Sequence, residues 1–104
     1  MCGIAGIINF DFAQDVEGIL RSMLGIIRYR GPDSYGIYLD DGVGLASARL
    51  SIIDLDTGDQ PIHNEDQSIW VVLNGEIFNY PELREDLENK GHHFYTRSDT
   101  EVLV

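Results

Sequence analysis

Residues 35–49 read YGIYLDDGVGLASAR, and this stretch decides the fold because it has the pattern of a β-hairpin. Two runs rich in apolar residues, Tyr35–Leu39 and Val43–Arg49, flank a short polar segment. Within that segment Asp41-Gly42 suits a two-residue turn between antiparallel strands, because such turns need residues that tolerate positive φ. We therefore predict two adjacent antiparallel strands here.

The residues before the hairpin predict one further strand and one helix. Gly3–Asn9 is short, apolar and rich in isoleucine, which is typical of a buried strand. Asp15 is a suitable N-cap for a helix from Val16 to about Arg28. The apolar residues of this helix recur at spacings of three and four and therefore share one face: Val16, Ile19, Leu20, Met23 and Ile27.

The residues after the hairpin predict two more strands and a second helix. Ile69–Leu73 is apolar throughout and predicts a third central strand, which ends at Asn74-Gly75. Pro81 is expected to begin a short helix, and Gly91 to end it. His93–Arg97 predicts a last strand. Several strands with two helices predict a mixed α+β fold of packed layers.

The end of the sequence predicts the start of one more helix. Ser98 and Glu101 have the spacing of a capping box, with Ser at the N-cap and Glu three residues later. Only three residues follow, and a helix of one turn is not stable by itself. We therefore expect residues 1–104 to be the N-terminal part of a longer protein.

Length, charge and cysteine content exclude several classes of protein. The 104 residues suffice for one domain. With 7 Lys+Arg against 18 Asp+Glu, the net charge of -11 argues against binding to nucleic acid or to an anionic membrane surface. A single cysteine excludes a disulfide framework, and the spacing of His63, His92 and His93 predicts no metal site. The sequence shows no export signal, so we expect a cytoplasmic protein.

The position of that single cysteine, Cys2, permits two interpretations. An isolated cysteine on a buried strand is usually an inert, small apolar residue. If Met1 is removed, however, Cys2 carries both a thiol and a free α-amine, whose pKa of about 8 leaves part of it unprotonated at neutral pH. One residue would then supply a nucleophile and a general base together.

Three further positions each have a structural and a functional interpretation. Asn74-Gly75 is a common turn dipeptide, but its side-chain amide and backbone N–H could also donate to a developing oxyanion. Arg49 could pair with a surface acid or bind a substrate carboxylate. Asp99 could stabilise a helix N-terminus or hold a substrate ammonium. Taken together, the functional interpretations describe a free amino acid as substrate.

Six segments occur in an order that resembles a known family. They are MCGIAGI at 1–7, RGPD at 30–33, RLSIIDL at 49–55, QPI at 60–62, NGEIFNY at 74–80 and GHHFYTRSDTEV at 91–102. In this order, and with Cys at position two, they resemble the N-terminal glutaminase domain of glutamine-hydrolysing asparagine synthetases, which are class II glutamine amidotransferases. The resemblance covers essentially the whole chain.

The resemblance implies a reaction in which Cys2, exposed by loss of Met1, attacks the side-chain amide of L-glutamine. A thioester would form, and glutamate and ammonia would be released. Asn74 and Gly75 would form the oxyanion hole.

The resemblance also implies a set of substrate-binding residues. Arg49 would bind the α-carboxylate of glutamine, and Ile52 and Ile53 would form walls of the pocket. Glu76 and Asp99 would hold the α-amine.

The family's architecture gives further expectations. Its fold is the N-terminal-nucleophile hydrolase αββα sandwich of four layers and roughly 200 residues, of which this chain would be the N-terminal half. The glutaminase step would need no cofactor, whereas ATP and Mg would belong to a following synthetase domain that receives the ammonia. We expect the isolated fragment to have weak or no glutaminase activity, and its unpaired strand edges to favour self-association.

Two departures from the family pattern leave the ammonia acceptor open. Tyr29 stands where the family usually has His before RGPD, and residues 46–49 read Ala-Ser-Ala-Arg where the family often has Gly-His-Arg-Arg. Tyr-Arg-Gly also occurs in the glucosamine-phosphate synthase branch, which is therefore an alternative. Two others are a non-catalytic glutamine-binding or scaffold domain and an acidic interaction module that binds a basic partner.

Overall fold

A computed structural model describes residues 2–8, 15–50 and 58–104. The strands are β1 (Gly3–Ile8), β2 (Ser34–Asp40), β3 (Val43–Arg49), β4 (Ile62–His63) and β5 (Trp70–Val71). The α-helices are α1 (Val16–Ile27) and α2 (Tyr80–Asn89), and short 3-10 helices span Arg28–Arg30 and Asp99–Leu103. These elements confirm the α+β class. No helix within the described ranges is long and apolar enough to cross a membrane.

The hairpin of β2 and β3 forms as predicted and becomes part of a three-stranded antiparallel sheet. The strand order is β1-β3-β2, so β3 is central. Asp41 and Gly42 form the turn, and Gly42 has a φ of 72°, a conformation that costs little without a Cβ. Along β1 the register pairs Gly3 with Ala48 and Ile8 with Val43.

Helix α1 covers one face of this sheet. Asp15 accepts a hydrogen bond from the Gly18 amide at 3.0 Å, which confirms it as the N-cap. The helix buries residues spaced four apart against the small side chains of β3, which let the helix approach the sheet closely. The core consists of Val16, Leu20, Leu24, Ala46 and Ala48.

The opposite face of the sheet is partly covered by a small second sheet. β4 and β5 pair antiparallel, with Ile62 opposite Val71. The Trp70 ring of β5 stacks on the Tyr38 ring of β2 with centroids 4.0 Å apart. Because side chains alternate along a strand, Tyr38 lies on the face opposite Ile37, which packs toward the α1 core. The described layers therefore run helix, sheet, sheet.

The predicted third central strand is wrong in extent and in place. Of Ile69–Leu73 only Trp70 and Val71 are in a strand, and this strand belongs to the two-stranded sheet. Side chains take the backbone donors at both ends of the run. Asn64 Oδ1 accepts from the Ile69 amide at 3.0 Å, and Gln60 Oε1 accepts from the Leu73 amide at 2.7 Å.

The predicted last strand, His93–Arg97, is also wrong, since these residues form no strand. The Glu101 carboxylate accepts from the amides of Tyr95 and Thr96 at 2.9 and 2.7 Å. Arg84 Nη1 donates to the Thr96 carbonyl at 2.7 Å. These side chains satisfy the polar backbone groups that a neighbouring strand would otherwise satisfy.

The capping box is confirmed only in its first half. Ser98 is the N-cap, but its hydroxyl accepts from the Thr100 amide at 3.2 Å, and the helix that follows is of the 3-10 type. Glu101 does not return to the Ser98 amide, because its carboxylate binds the two amides upstream. Helix α2 agrees with the prediction: Pro81 lies in its first turn, and Gly91 with φ of 97° follows its end.

Two glycines allow a matched test of this packing. A Cβ on Gly36 of β2 would lie 1.9 Å from the Gln60 carbonyl oxygen, whereas a Cβ on Gly25 of α1 would meet nothing within 4 Å. We expect Gly36→Ala to lower the free energy of unfolding by about 1–3 kcal/mol or more. Gly25→Ala should raise it by about 0.5–1 kcal/mol, because alanine is the better helix former. Thermal unfolding of both variants measures the difference, and equal melting temperatures would contradict the packing described here.

Candidate functional site

A cleft of about 190 Å³ opens at the end of the three-stranded sheet. Six residues that the sequence singled out line it together: Cys2, Arg49, Asn74, Gly75, Glu76 and Asp99. They come from four separate segments of the chain. Ile52 and Ile53, the two other predicted site residues, lie outside the described residues, as does Met1.

Cys2 lies immediately before β1 and is half-buried. Its Sγ accepts a hydrogen bond from the Leu50 amide at 3.3 Å and lies 3.5 Å from the Leu50 carbonyl oxygen. Arg30 Nε donates to the Cys2 carbonyl oxygen at 3.3 Å. The cysteine is thus held at its thiol and at its main chain beside the cleft, a more defined environment than an inert apolar residue requires.

Arg49 ends β3 and is buried, with 5% of its surface exposed. Its Nη1 lies 3.2 Å from Asp59 Oδ1, so the guanidinium is paired with an acid whose own side chain is 63% exposed. Asp59 Oδ1 also accepts from the Ser34 hydroxyl at 2.9 Å. A guanidinium has five N–H donors in a planar fork, so the same side chain can engage more than one carboxylate.

Asn74, Gly75 and Glu76 lie on the rim of the cleft, between β5 and α2, and all three are exposed. The chain bends at Asn74 and Gly75, which agrees with the change of direction that the turn interpretation predicts. It does not exclude the second interpretation, because the same exposed bend borders the cleft that Cys2 lines. Amide donors at such a bend can be directed at a ligand.

Asp99 begins the last 3-10 helix and is 5% exposed. Its Oδ2 accepts from the Ile77 amide at 2.8 Å, and its Oδ1 lies 3.4 Å from the Ser98 hydroxyl. Asp99 thus holds the loop that follows Glu76. A carboxylate has about four acceptor positions, so Asp99 can also accept from an ammonium in the cleft.

The charges that line the cleft are one guanidinium, Arg49, and two carboxylates, Glu76 and Asp99. This balance suits a ligand that carries one carboxylate and one ammonium. In the described part of the chain, no group of three or more His, Cys, Asp and Glu side chains could hold a metal ion. What the arrangement can do is bind an amino acid beside a thiol.

Five lining residues were not predicted from the sequence: Leu50, Gln60, Leu73, Ser98 and Thr100. Gln60 binds two segments at once, through residues 13 and 40 positions further along the chain. No local pattern signals contacts at such separations. The only signal was the place of Gln60 in the QPI segment, which by itself names no role.

Comparison with known proteins gives one family. A family model described as "Glutamine amidotransferase domain" matches residues 1–104. The whole chain is 50% identical to asparagine synthetase (glutamine-hydrolysing) 1 of Bacillus subtilis, of which it covers 17%. It is 51% identical to asparagine synthetase (glutamine-hydrolysing) 2 of the same organism, of which it covers 14%. It is 46% identical to asparagine synthetase (glutamine-hydrolysing) of Brassica oleracea, of which it covers 18%. The chain therefore spans less than a fifth of the length of these relatives.

The buried Glu101 gives a test of how the segment before Asp99 is held. We expect Glu101→Gln to lower the free energy of unfolding by about 1–3 kcal/mol, because an amide has one acceptor oxygen where two backbone amides bind two carboxylate oxygens. The matched control is Glu85→Gln on the exposed side of α2, which should change it by less than about 0.5 kcal/mol. Denaturant unfolding measures both variants. An unaltered midpoint for Glu101→Gln would contradict the view that the Glu101 carboxylate holds the segment before Asp99.

Proposed function

The chain belongs to the glutamine amidotransferase domain family, and from that premise we propose that its cleft hydrolyses the side-chain amide of L-glutamine to glutamate and ammonia. One observation carries the proposal: a thiol, a buried guanidinium, a carboxylate and an exposed bend with amide donors line the same cleft. Each of these groups has a partner in the chemistry of glutamine. The thiol is suited to the amide carbon, and the charged groups are suited to the α-carboxylate and the α-ammonium.

The proposed first step forms a thioester. With Met1 removed, the unprotonated α-amine of Cys2 takes the thiol proton as Sγ bonds to the amide carbon of glutamine. The carbonyl oxygen becomes an oxyanion, to which the Asn74 side-chain amide and the Gly75 backbone N–H donate. The carbon–nitrogen bond then breaks, the proton passes from the α-ammonium to the leaving nitrogen, and ammonia departs.

The second step returns the enzyme to its starting state. Water attacks the thioester carbon and gives up a proton to the α-amine. The same donors stabilise the second oxyanion, the carbon–sulfur bond breaks, and the thiolate regains the proton. Glutamate leaves. The step uses no cofactor, and a reducing compartment such as the cytoplasm keeps the Cys2 thiol in its reactive form.

The proposed substrate contacts follow the charges of the cleft. Arg49 binds the α-carboxylate, which a planar guanidinium can engage with two parallel hydrogen bonds. Asp99, with Glu76 on the rim, holds the α-ammonium. Ile52 and Ile53 are proposed as walls along the methylene groups of the substrate.

We propose that the ammonia is used by an ATP-dependent synthetase domain of the same protein. The support is that the similar proteins are named glutamine-hydrolysing asparagine synthetases and are more than five times longer than this chain. ATP and Mg would serve that domain. These names favour the asparagine synthetase branch over the glucosamine-phosphate synthase branch and over a purely binding or scaffold role.

We further propose that the complete fold is the four-layer αββα sandwich of N-terminal-nucleophile hydrolases. The support is the order of layers in the described residues, where α1 covers one face of the three-stranded sheet and the β4–β5 pair covers part of the other. A further helical layer on the far side would complete the four.

The nucleophile is tested in the full-length protein with Cys2→Ala. Glutamine hydrolysis should fall by a factor on the order of 10⁴ or more, because both steps use Sγ. Product formation with added ammonia as the nitrogen source is the control, and it should be unchanged because it bypasses the thioester. Mass spectrometry of the wild-type N-terminus should show Cys2 as the first residue. Equal hydrolysis by wild type and variant would refute the assignment.

The substrate-binding role of Arg49 is tested with Arg49→Lys. A lysine keeps the charge but loses the planar fork, so the KM for glutamine should rise by about 10–100-fold, as expected for a lost charged hydrogen bond. The matched control is Arg21→Lys on α1, where the exposed side chain pairs with Glu17 away from the cleft. Arg21→Lys should leave KM unchanged. A KM for Arg49→Lys equal to that of wild type would contradict the proposal that Arg49 binds the α-carboxylate.

A further inference from the structure

A single buried amide side chain connects two walls of the cleft. Gln60 is 7% exposed, and both ends of its amide are engaged. Its Oε1 accepts from the Leu73 backbone amide at 2.7 Å, and its Nε2 donates to the Thr100 hydroxyl oxygen at 3.2 Å. The side chain therefore joins the loop after β5 to the last 3-10 helix.

Both contacts are adjacent to groups that the proposed reaction uses. Leu73 immediately precedes Asn74-Gly75, the proposed oxyanion donors, and Thr100 immediately follows Asp99, the proposed ammonium partner. Each residue that Gln60 contacts is covalently bonded to a residue that the proposed reaction uses. A shift of the Gln60 amide would therefore move both the oxyanion donors and Asp99.

The residue before Gln60 extends this arrangement to a third group. Asp59 Oδ1 is the ion-pair partner of Arg49 Nη1 at 3.2 Å. Two consecutive residues therefore contact, directly or through one neighbour, the three elements that would bind the carboxylate, the ammonium and the reacting carbonyl of one substrate molecule.

We propose that Gln60 is a positioning residue, which sets the distance between the oxyanion donors at Asn74-Gly75 and the ammonium partner Asp99. This inference rests on the proposed function. A glutamine molecule is held at its α-ammonium and reacts at the far end of its side chain, so these two points of the cleft must be spaced to match it. A misplacement of about 1 Å costs on the order of 10²-fold in rate.

The two contacts of Gln60 have different kinetic consequences. Release of the Leu73 amide displaces the oxyanion donors, which act in the transition state, and therefore lowers kcat. Loss of the Thr100 contact displaces Asp99, which binds the substrate before and during the reaction, and therefore raises KM. A residue with a structural role alone would show no such division.

The experiment measures glutamine hydrolysis by the full-length protein with three variants. Gln60→Met keeps the side-chain length but removes both hydrogen bonds, so kcat should fall by about 100-fold and the KM for glutamine should rise by roughly tenfold. Thr100→Val removes only the hydroxyl and should raise the KM for glutamine by roughly tenfold, with kcat within about threefold of wild type. Gln67→Met, the same change at an exposed loop position, should leave both constants unaltered.

Two further measurements separate positioning from unfolding and from failure of the reaction itself. The rate of Cys2 alkylation by iodoacetamide should be equal in wild type and Gln60→Met, because the thiol contacts Leu50 and not Gln60. Ammonia-dependent product formation should also be equal. Wild-type protein without glutaminase activity, or Cys2→Ala with full activity, would refute the proposed function.

Given an active wild type, two results would overturn the positioning role alone. One is a kcat for Gln60→Met and a KM for Thr100→Val that both stay within about twofold of wild type. The other is a loss of hydrolysis in Gln60→Met that comes with a changed alkylation rate and an equal loss of ammonia-dependent synthesis, while the KM of Thr100→Val stays within about twofold of wild type. Thr100→Val keeps the Thr100 backbone contact to Ser98, so its KM tests the positioning role even where Gln60→Met does not fold.

Discussion

The register between β1 and β3 is the constraint on which the rest of the site depends. Pairing of Gly3 with Ala48 brings Cys2 and Arg49 to the same end of the sheet. Because side chains alternate with a period of two, a slip of one residue would turn Arg49 to the other face and move the buried alanines away from α1. The α1 core therefore fixes the register, and through it the thiol and the guanidinium.

The other wall of the cleft has little regular structure and is held by buried polar side chains. Gln60, Asp99 and Glu101 accept hydrogen bonds from backbone amides that no strand or helix satisfies. Loss of such an acceptor leaves a buried donor unsatisfied, which costs about 1–3 kcal/mol. These contacts are specific in direction as well as favourable in energy. They define one loop conformation, where apolar burial alone would permit several.

The difference between the regular sheet-and-helix part and the loops held by polar side chains explains what the sequence could predict. The hairpin, most of the α1 face and the Asp15 cap depend on neighbours within a few residues, so periodicity and turn chemistry predicted them. The α1 face was wrong at two positions, because Ile19 is 43% exposed and Leu24 is buried in its place. Ile69–Leu73 and His93–Arg97 have the composition of strands. Their backbone donors bind side chains from elsewhere in the chain, and strand propensity does not depend on such distant contacts. Cys2, Arg49, Asn74 and Asp99 were identified as candidates because their chemistry matches an amino-acid substrate. Their common cleft follows from tertiary contacts, as does the involvement of Gln60.

The proposed reaction draws on both halves of this architecture at once. The sheet end carries the proposed nucleophile, Cys2, and the proposed carboxylate partner, Arg49. The loops carry the proposed oxyanion donors and the proposed ammonium partner. A rigid sheet cannot by itself orient groups on loops. Loops that are not fixed to the sheet cannot hold their groups at the spacing that a substrate of defined length needs. Residues 59 and 60 connect the two parts, since Asp59 pairs with Arg49 of the sheet and Gln60 binds both loops. In the proposed reaction, the catalytic geometry therefore depends on the connection between the sheet end and the loops, and Asp59 and Gln60, which make that connection, matter as much as the proposed substrate contacts.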